Sequence, residues 1–388
     1  MKETIQGFHR RDGRMGIRNH LTVIATVFCA NHAVERIAAS VPGAVPITHQ
    51  AGCGQLGADA DNTRNILLKT GCHPNVGAVL YLGLGCEQHN ARDLARDARE
   101  SGTHAAHLEI QECGGTTATI ARGKDVCQAL MENMATDEHR MELPLSALTI
   151  ALECGGSDFS SGMAANPALG RFTDRMVEAG GTVVFGETCE LMGAEAVIQR
   201  RTPNPRICDA VIQRIQATEA AANAMGVDMR GSQPSPGNIQ GGLTTIEEKS
   251  LGAVCKSGTG PIRSCLNYGQ KIPQGGLHFM DCPGQDLTSL CGMISGGAHL
   301  ALFTTGRGTP LGYAIAPVIK LTANAHAGQW MAEHIDLDLS GLIQKDLTLD
   351  GACDMIHRAV HRIAGGALTC AETLGHREFG FHTSGPTL

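Results

Sequence analysis

Aromatic side chains are scarce in this 388-residue chain: one Trp, three Tyr and nine Phe, 3 per cent of the total. The cores must therefore be filled by Val, Ile, Leu, Ala and Met. No C-x-x-C pair occurs among the fifteen cysteines, which argues against a zinc finger or ribbon. There is no basic excess either. The formal net charge is −7, the wrong sign for a nucleic-acid partner, which calls for a basic stripe. The longest apolar runs, such as LTVIATVFCA, reach about ten residues, too short to span a bilayer. The opening MKETIQGFHRRDGR has no apolar stretch behind its charges, so it does not read as a secretory signal. A cytoplasmic protein without a membrane partner is expected, and in that compartment the cysteines are thiols rather than disulfides.

What is abundant is glycine, at 49 residues, consistent with many tight turns. From about residue 20 to 200 one pattern recurs: a short apolar run, a Gly/Cys/polar turn, then an amphipathic stretch. HLTVIATV, VGAVLYLGLG, AAHLEIQ, LTIALE and GTVVFGE are the apolar runs. Uniform runs of this length read as strands buried on both faces, and their alternation with helices predicts parallel sheets. RGSQPSPGNIQGG, at 230–242, reads as a boundary or active-site loop. Beyond it LHFMD, LALFTTG and APVIKLT again read as buried strands. The expected architecture is α/β: two Rossmann-like domains with largely parallel sheets. Residues 1–229 form the domain with Cys-rich strand ends, and 230–388 form the domain carrying TTIEEKS and FTTGRGTP. The terminal GHREFGFHTSGPTL has no assignment from its pattern.

Open parallel sheets bind ligands beyond the carboxyl ends of their strands. Cys29, Cys86, Cys113, Cys154 and Cys189 each follow an apolar run, and Cys53 follows the short run AVPIT. These thiols are expected to crowd one rim of one sheet, beside His49, Glu87, Glu112, Glu153 and Glu187. Thiolates suit a soft metal, with iron the natural candidate; the alternative is that small cysteines simply fit at crowded strand ends. Arg10, Arg11, Arg14 and Arg18, in RRDGRMGIRNH, match a carboxylate or sulfonate, or else form a self-paired turn with Asp12. Glu247, Glu248 and Lys249 offer a base if burial lowers the lysine pKa, or else an exposed helix start. Thr304, Thr305 and Arg307 end an apolar strand as an anion-binding turn. Asp286, in CPGQDLTS, sits in a similar turn.

GFHRRDGRMGIRNHLTVIATV, THQAGCGQLG, GLGCE, ECGGSDFSSGMAANPALG, SPGNIQGGLTTIEEKSLG and FTTGRGTPLGYAIAPVIKLT, in this order along nearly the whole chain, resemble the altronate/galactarate dehydratase family. The resemblance implies a metal-dependent lyase that removes a C2 proton and expels the C3 hydroxyl of a sugar acid such as altronate or galactarate, giving a 2-keto-3-deoxy acid. One branch implies instead a (2R)-3-sulfolactate sulfo-lyase, with sulfite leaving and pyruvate remaining. Two other readings are an iron–sulfur redox protein and a non-catalytic binding subunit. The matching positions are His49, Cys53, Cys86, Glu87, Cys154, Ser157, Asp158, Glu247, Glu248, Lys249, Thr304, Thr305 and Arg307.

On that basis Lys249, His49 and Glu248 are expected catalytic residues. Arg307, Thr304, Thr305, Ser157, Asp158, Arg14 and Arg18 are expected to bind substrate, and Cys53, Cys86, Cys154 and Glu87 to hold metal. The cofactor is expected to be iron, as Fe2+ or a [4Fe–4S] cluster, with Mn2+ as a substitute. The first partner is a small hydroxy acid. Because the chain starts almost at GFHRRDGR, a separate small subunit of SAF or β-clip type is expected, in an oligomer.

Overall fold

The computed structural model describes residues 4–136 and 140–388. Fourteen strands are described: β1 (Thr4–His9), β2 (Met15–Gly16), β3 (His20–Ala25), β4 (Ala44–Ile47), β5 (Val76–Gly83), β6 (His104–Glu109), β7 (Arg140–Pro144), β8 (Thr149–Gly155), β9 (Thr182–Phe185), β10 (Ile262–Leu266), β11 (Gly276–Met280), β12 (Leu300–Thr305), β13 (Val318–Thr322) and β14 (Leu337–Asp338). They form a four-stranded sheet ordered β4-β3-β5-β6, a seven-stranded sheet ordered β10-β11-β9-β8-β12-β13-β14, and a small sheet β2-β1-β7. Every pairing in the two larger sheets is parallel. The alternation of apolar runs and amphipathic stretches therefore reports the fold class correctly.

The chain folds into two compact units. The N-terminal unit takes Gln6–Leu143, Tyr313–Ala316 and Arg377–Leu388, and the C-terminal unit is built chiefly from Pro144–Gly312 and Pro317–His376. This differs from a boundary at 229/230. Strands β8 and β9 lie before that boundary, yet β12 pairs with β8 and β11 with β9. Backbone pairing between strands distant in sequence decides the division, and no local composition change reports it.

In the N-terminal unit β5 is buried along its whole length because both faces are covered. Leu80 and Leu82 pack with Val34, Ile37 and Leu130 of the helices Asn31–Ser40 and Thr116–Thr136. Tyr81, one position out of phase with Leu80 and Leu82, donates its hydroxyl to the Leu67 carbonyl of the helix Gly57–Gly71. In the C-terminal unit β8, β9 and β12 are almost wholly buried, which suits central strands of a parallel sheet. Strand order reverses beside β3 in one sheet and beside β8 in the other. Those two reversals are where the open-sheet rule places ligand sites.

Candidate active site

At the reversal of the seven-stranded sheet, β8 and β12 run in register, pairing Phe303 with Glu153, Thr304 with Cys154 and Thr305 with Gly155. The chain leaves β8 through Gly155 and Gly156. A Cβ on Gly155 would strike the Asp286 carboxylate, and Gly156 adopts a φ of 60°. The paired glycines after Cys154 thus let an acidic side chain approach the strand end and let the backbone turn away from it. A π-helical turn, Ser161–Ala165, follows and leads into the helix Asn166–Glu178; such turns concentrate at functional sites.

Four carboxyl groups and two ammonium groups gather here. Lys256 is 2 per cent exposed, and its Nζ donates to Glu187 Oε2. Glu153 is fully buried; Ser289 Oγ donates to its Oε2 at 2.7 Å, while its Oε1 is buried without a partner. Lys249 Nζ lies 3.0 Å from Glu190 Oε1, and Glu190 Oε2 is also buried without a partner. Glu187, at the carboxyl side of β9, holds a φ of 65°, which is uncommon outside glycine and often marks a functional position.

Glu153, Glu187 and Glu190 are buried and Asp286 is half-buried, and for Glu153, Glu187 and Asp286 desolvation together with neighbouring carboxylates favours the protonated form. Burial, and then the neighbouring Glu187, raise the Glu153 carboxyl well above its usual range. Burial pushes Glu187 up to about 8 despite the opposing pull of Lys256. Asp286 is raised by burial and by Glu190. Burial works against the charge on Lys256, but Glu187 and the other acids more than offset it, and its pKa rises. Lys249 behaves alike: burial opposes its charge and Glu190 restores it, leaving a net rise. Lys249 therefore keeps its proton, the reverse of what a basic amine needs.

The other expected residues of this unit divide by exposure. Glu248 caps its own helix, Ile246–Val254: its Oε2 accepts from the Thr244 backbone N–H at 2.8 Å, while Thr245 accepts from the Glu248 N–H. Asp158 is buried and saturated. Its Oδ1 accepts from Ser160 Oγ (2.6 Å) and the Ser161 N–H (3.0 Å), and its Oδ2 from Asn324 Nδ2 (2.7 Å). Thr304 donates to Asn166 Oδ1 at 2.6 Å, and Thr305 Oγ1 accepts from the Gly308 N–H at 3.0 Å, closing the turn. Ser157 Oγ lies 3.1 Å from Cys154 Sγ. Arg307 is different: it is exposed, with one long contact of 3.4 Å to the Gly237 carbonyl. The loop beyond it is held by fully buried Lys320, whose Nζ donates to the Pro310 and Leu311 carbonyls, both at 3.0 Å.

The remaining expected residues belong to the N-terminal unit. His49 is buried; its Nε2 lies 2.8 Å from the Ala25 carbonyl, and its Nδ1 accepts from the Ala51 N–H at 3.1 Å. Both ring nitrogens are engaged, and burial lowers its pKa despite those bonds, so the ring is neutral. Glu87 accepts from Thr26 Oγ1 (2.8 Å), the Gly85 N–H (2.7 Å) and the Leu84 N–H (3.2 Å), tying together the ends of β3 and β5 at that sheet's reversal. Arg14 pairs with Asp12 and donates to the Cys72 carbonyl at 2.8 Å. Arg18 is buried and donates to the Ile17 carbonyl at 3.0 Å.

The strand-end cysteines do not share one rim. Cys29, Cys53, Cys86 and Cys113 belong to the unit of the four-stranded sheet, and Cys154 and Cys189 to that of the seven-stranded sheet. Cys53 and Cys86 are exposed thiols. Cys154 is buried, and burial raises its pKa even though Lys256 opposes the shift. Among the described residues no three His, Cys, Asp or Glu side chains are grouped to hold a metal ion. Glu87 is engaged by donors of its own strand ends, and the expected donors Cys53, Cys86, Cys154 and Glu87 are not preassembled as an iron site among the described residues.

Sequence reasoning missed Lys256, Glu190 and Asn166. Lys256 stands in VCKSG, 69 residues beyond Glu187, and its only local mark is an isolated cation after an apolar helix face.

Two parallel α/β units, one with buried acids and lysines gathered where its strand order reverses, define an open-sheet α/β enzyme. The family profile "D-galactarate/Altronate dehydratase, C-terminal" matches residues 145–387, and "D-galactarate dehydratase/Altronate hydrolase, second domain" matches 7–135. The chain belongs to the galactarate/altronate dehydratase family, a family of lyases. It is similar to the altronate dehydratase of Bacillus subtilis (strain 168), with 33% identity over 99% of this chain and 78% of the relative. It is similar too to the (2R)-sulfolactate sulfo-lyase subunit beta of Chromohalobacter salexigens, with 37% identity over 97% and 96%. The altronate dehydratase of Escherichia coli (strain K12) is 34% identical over 99% of this chain and 78% of its own length. Among the described residues no helix is long and apolar enough to cross a membrane.

Proposed function

We propose that the chain is a hydro-lyase that dehydrates a sugar acid to a 2-keto-3-deoxy acid. The observation that carries this reading is the buried cluster of Glu153, Glu187, Glu190, Asp286, Lys249 and Lys256 at the β8–β12 reversal. Dehydration needs a base for the C2 proton, an acid for the departing C3 hydroxyl and fixed positive charge for the enolate that forms between them. The C–H electron pair becomes the C2–C3 double bond, the C–O bond breaks as the hydroxyl takes a proton, and the enol tautomerises to the ketone. Glu187, raised to about 8, is suited to exchange a proton near neutrality, as a general acid–base group requires. Asp286, whose pKa burial raises, is the partner acid. Lys249 stays charged and stabilises the enolate instead of acting as the base. Arg307, exposed beside the same strand end, meets the substrate carboxylate with its guanidinium fork.

A second reading is supported by the match along nearly the whole of both chains to the sulfo-lyase beta subunit. There the same C2 deprotonation expels sulfite from sulfolactate and leaves pyruvate. That relative is called a subunit, and on this ground we extend to the present chain the requirement for a separate small partner.

The test incubates the anaerobically purified chain, alone and with a candidate small subunit, with and without added iron. Aldonic and aldaric acids and 3-sulfolactate are offered, and 2-keto acid and sulfite are assayed in parallel. Keto acid without sulfite supports the dehydratase, and equimolar sulfite supports the second reading. Lack of both products under every condition overturns the lyase assignment. Iron content that is the same in Cys154→Ser as in the wild type is the expected companion result.

A further inference from the structure

The C-terminal segment GHREFGFHTSGPTL has no helix or strand beyond Gly375, yet it is tied firmly to the N-terminal unit. Asp59, near the start of the helix Gly57–Gly71, accepts from the Ser384 N–H (2.9 Å), the Gly385 N–H (2.6 Å) and Ser384 Oγ (3.1 Å). Those bonds hold its carboxyl below the usual range against the opposing effect of burial. Asn62 Nδ2 donates to the His382 carbonyl at 2.9 Å, and the Leu388 N–H donates to the Gly54 carbonyl at 2.9 Å. Gly54 has a φ of 82°, and a Cβ there would collide with the Leu388 carbonyl, so the strap and the Cys53–Gly54 turn fit only without a side chain. Phe381 rests against the His49 ring at 5.4 Å and against Phe379 at 6.0 Å.

Between the strap and the ends of β3 and β4 lies a cavity of about 620 Å³, all of whose lining residues belong to the N-terminal unit. Its polar lining is neutral: Thr48, Gln50, Gln55, Thr383 and Thr387 carry hydroxyl or carboxamide groups, His49 adds an imidazole that burial keeps uncharged, and the thiols of Cys29 and Cys53 border it. The apolar share comes largely from Phe28, Phe379 and Phe381, and no Lys, Arg, Asp or Glu lines it. Without a cation the cavity has nothing to offset the desolvation of a carboxylate. Hydroxyls, amides and aromatic rings lining one cavity instead suit a chain of C–H and O–H groups, which needs many weak donors and acceptors and some apolar surface.

We propose that this cavity binds an uncharged polyhydroxylated group and that the C-terminal strap, pinned on Asp59, is its movable wall. The proposal stands independently of the lyase reading, because its test requires no turnover. Cys53 is the reporter. The full-length protein is treated with limiting iodoacetamide, and alkylation is followed peptide by peptide, with exposed Cys255 of the other unit as the internal control. Galactitol, a neutral six-carbon polyol, is the probe, and ethylene glycol at equal hydroxyl concentration is the comparison.

Galactitol is expected to slow alkylation of Cys53 at least about threefold through steric cover of the occupied cavity. Cys255 should be unaffected and ethylene glycol without effect. In Asp59→Asn the strap loses its charge-assisted anchors, so galactitol protection of Cys53, which is exposed in the unliganded protein, should vanish. Thr383→Val, which leaves the anchors intact, should weaken protection without changing the rate in the absence of polyol. Continued resistance of buried Cys127 to alkylation certifies the fold of each variant. Equal protection by ethylene glycol, or none by galactitol, overturns the site. Galactitol protection of Cys53 that persists undiminished in a folded Asp59→Asn variant overturns the strap as its wall.

Discussion

Replacing Lys256 with Met tests whether the buried cluster is held together by charge. Met fills nearly the same volume, so the change removes an ammonium group without opening a large cavity. Lys256 is 2 per cent exposed and bonded to Glu187, with Glu153 and Glu190 close enough to raise its pKa. Taking one partner from a buried pair costs about 3–5 kcal/mol when the remaining group must stay charged; Glu187, titrating near 8, can instead take up a proton at pH 7, so the loss there is smaller and grows as pH rises. Amide hydrogen exchange of the β8 peptide at pH 7 reads this loss in the unit concerned.

The pH dependence supplies a second check. With Lys256 present, Glu187 titrates near 8, above its unfolded value of 4.5; its contribution to stability is full below 4.5, falls through that window and levels off beyond 8. Without Lys256 its pKa climbs further, so the variant goes on losing stability above pH 8, by up to about 1.4 kcal/mol per pH unit. The penalty should therefore be larger at pH 9.5 than at pH 7. Lys256→Met combined with Glu187→Leu should recover at least about 2 kcal/mol relative to the sum of the single changes. A single variant as stable as the wild type, or a penalty that shrinks as pH rises, would refute the reasoning.

Arg307→Ala should raise KM by roughly 10- to 100-fold through loss of a charge-assisted contact, yet change stability by less than about 0.5 kcal/mol because the side chain is exposed; steady-state kinetics and a urea titration check the two halves. Asp158→Ala should cost about 2–4 kcal/mol in urea unfolding, since it strands the donors of Ser160, Ser161 and Asn324, whereas a surface substrate contact would cost almost nothing. His49 is held neutral with its pKa lowered from 6.5, so wild-type stability should fall as pH drops below about 6.5, where the unfolded chain takes up a proton that the folded one refuses. His49→Gln should remove that part of the slope between pH 6.5 and 5, read from melting temperatures across the window.

The apolar runs of the sequence were enough to mark the central strands and their parallel class. Buried parallel strands must be apolar throughout, and HLTVIATV and LALFTTG display that without reference to any other part of the chain. The sequence also exposed the family, through long motifs in order. Only the tertiary structure decided which strand ends meet. β8 pairs with β12, about 150 residues away, and so Cys154 ends a strand of the seven-stranded sheet beside the Lys256–Glu187 pair, while Cys53 and Cys86 belong to the unit of the four-stranded sheet. Polar roles were equally hidden. Asp158, Thr305, Glu87 and Glu248 look like site residues in a motif, and hydrogen bonds to nearby backbone and side chains give each of them a structural role as well. Among the expected substrate contacts only Arg307 stands exposed at its strand end. Whether a lysine keeps its proton depends on burial and on which carboxylates surround it, and both are set by long-range packing that no local pattern records.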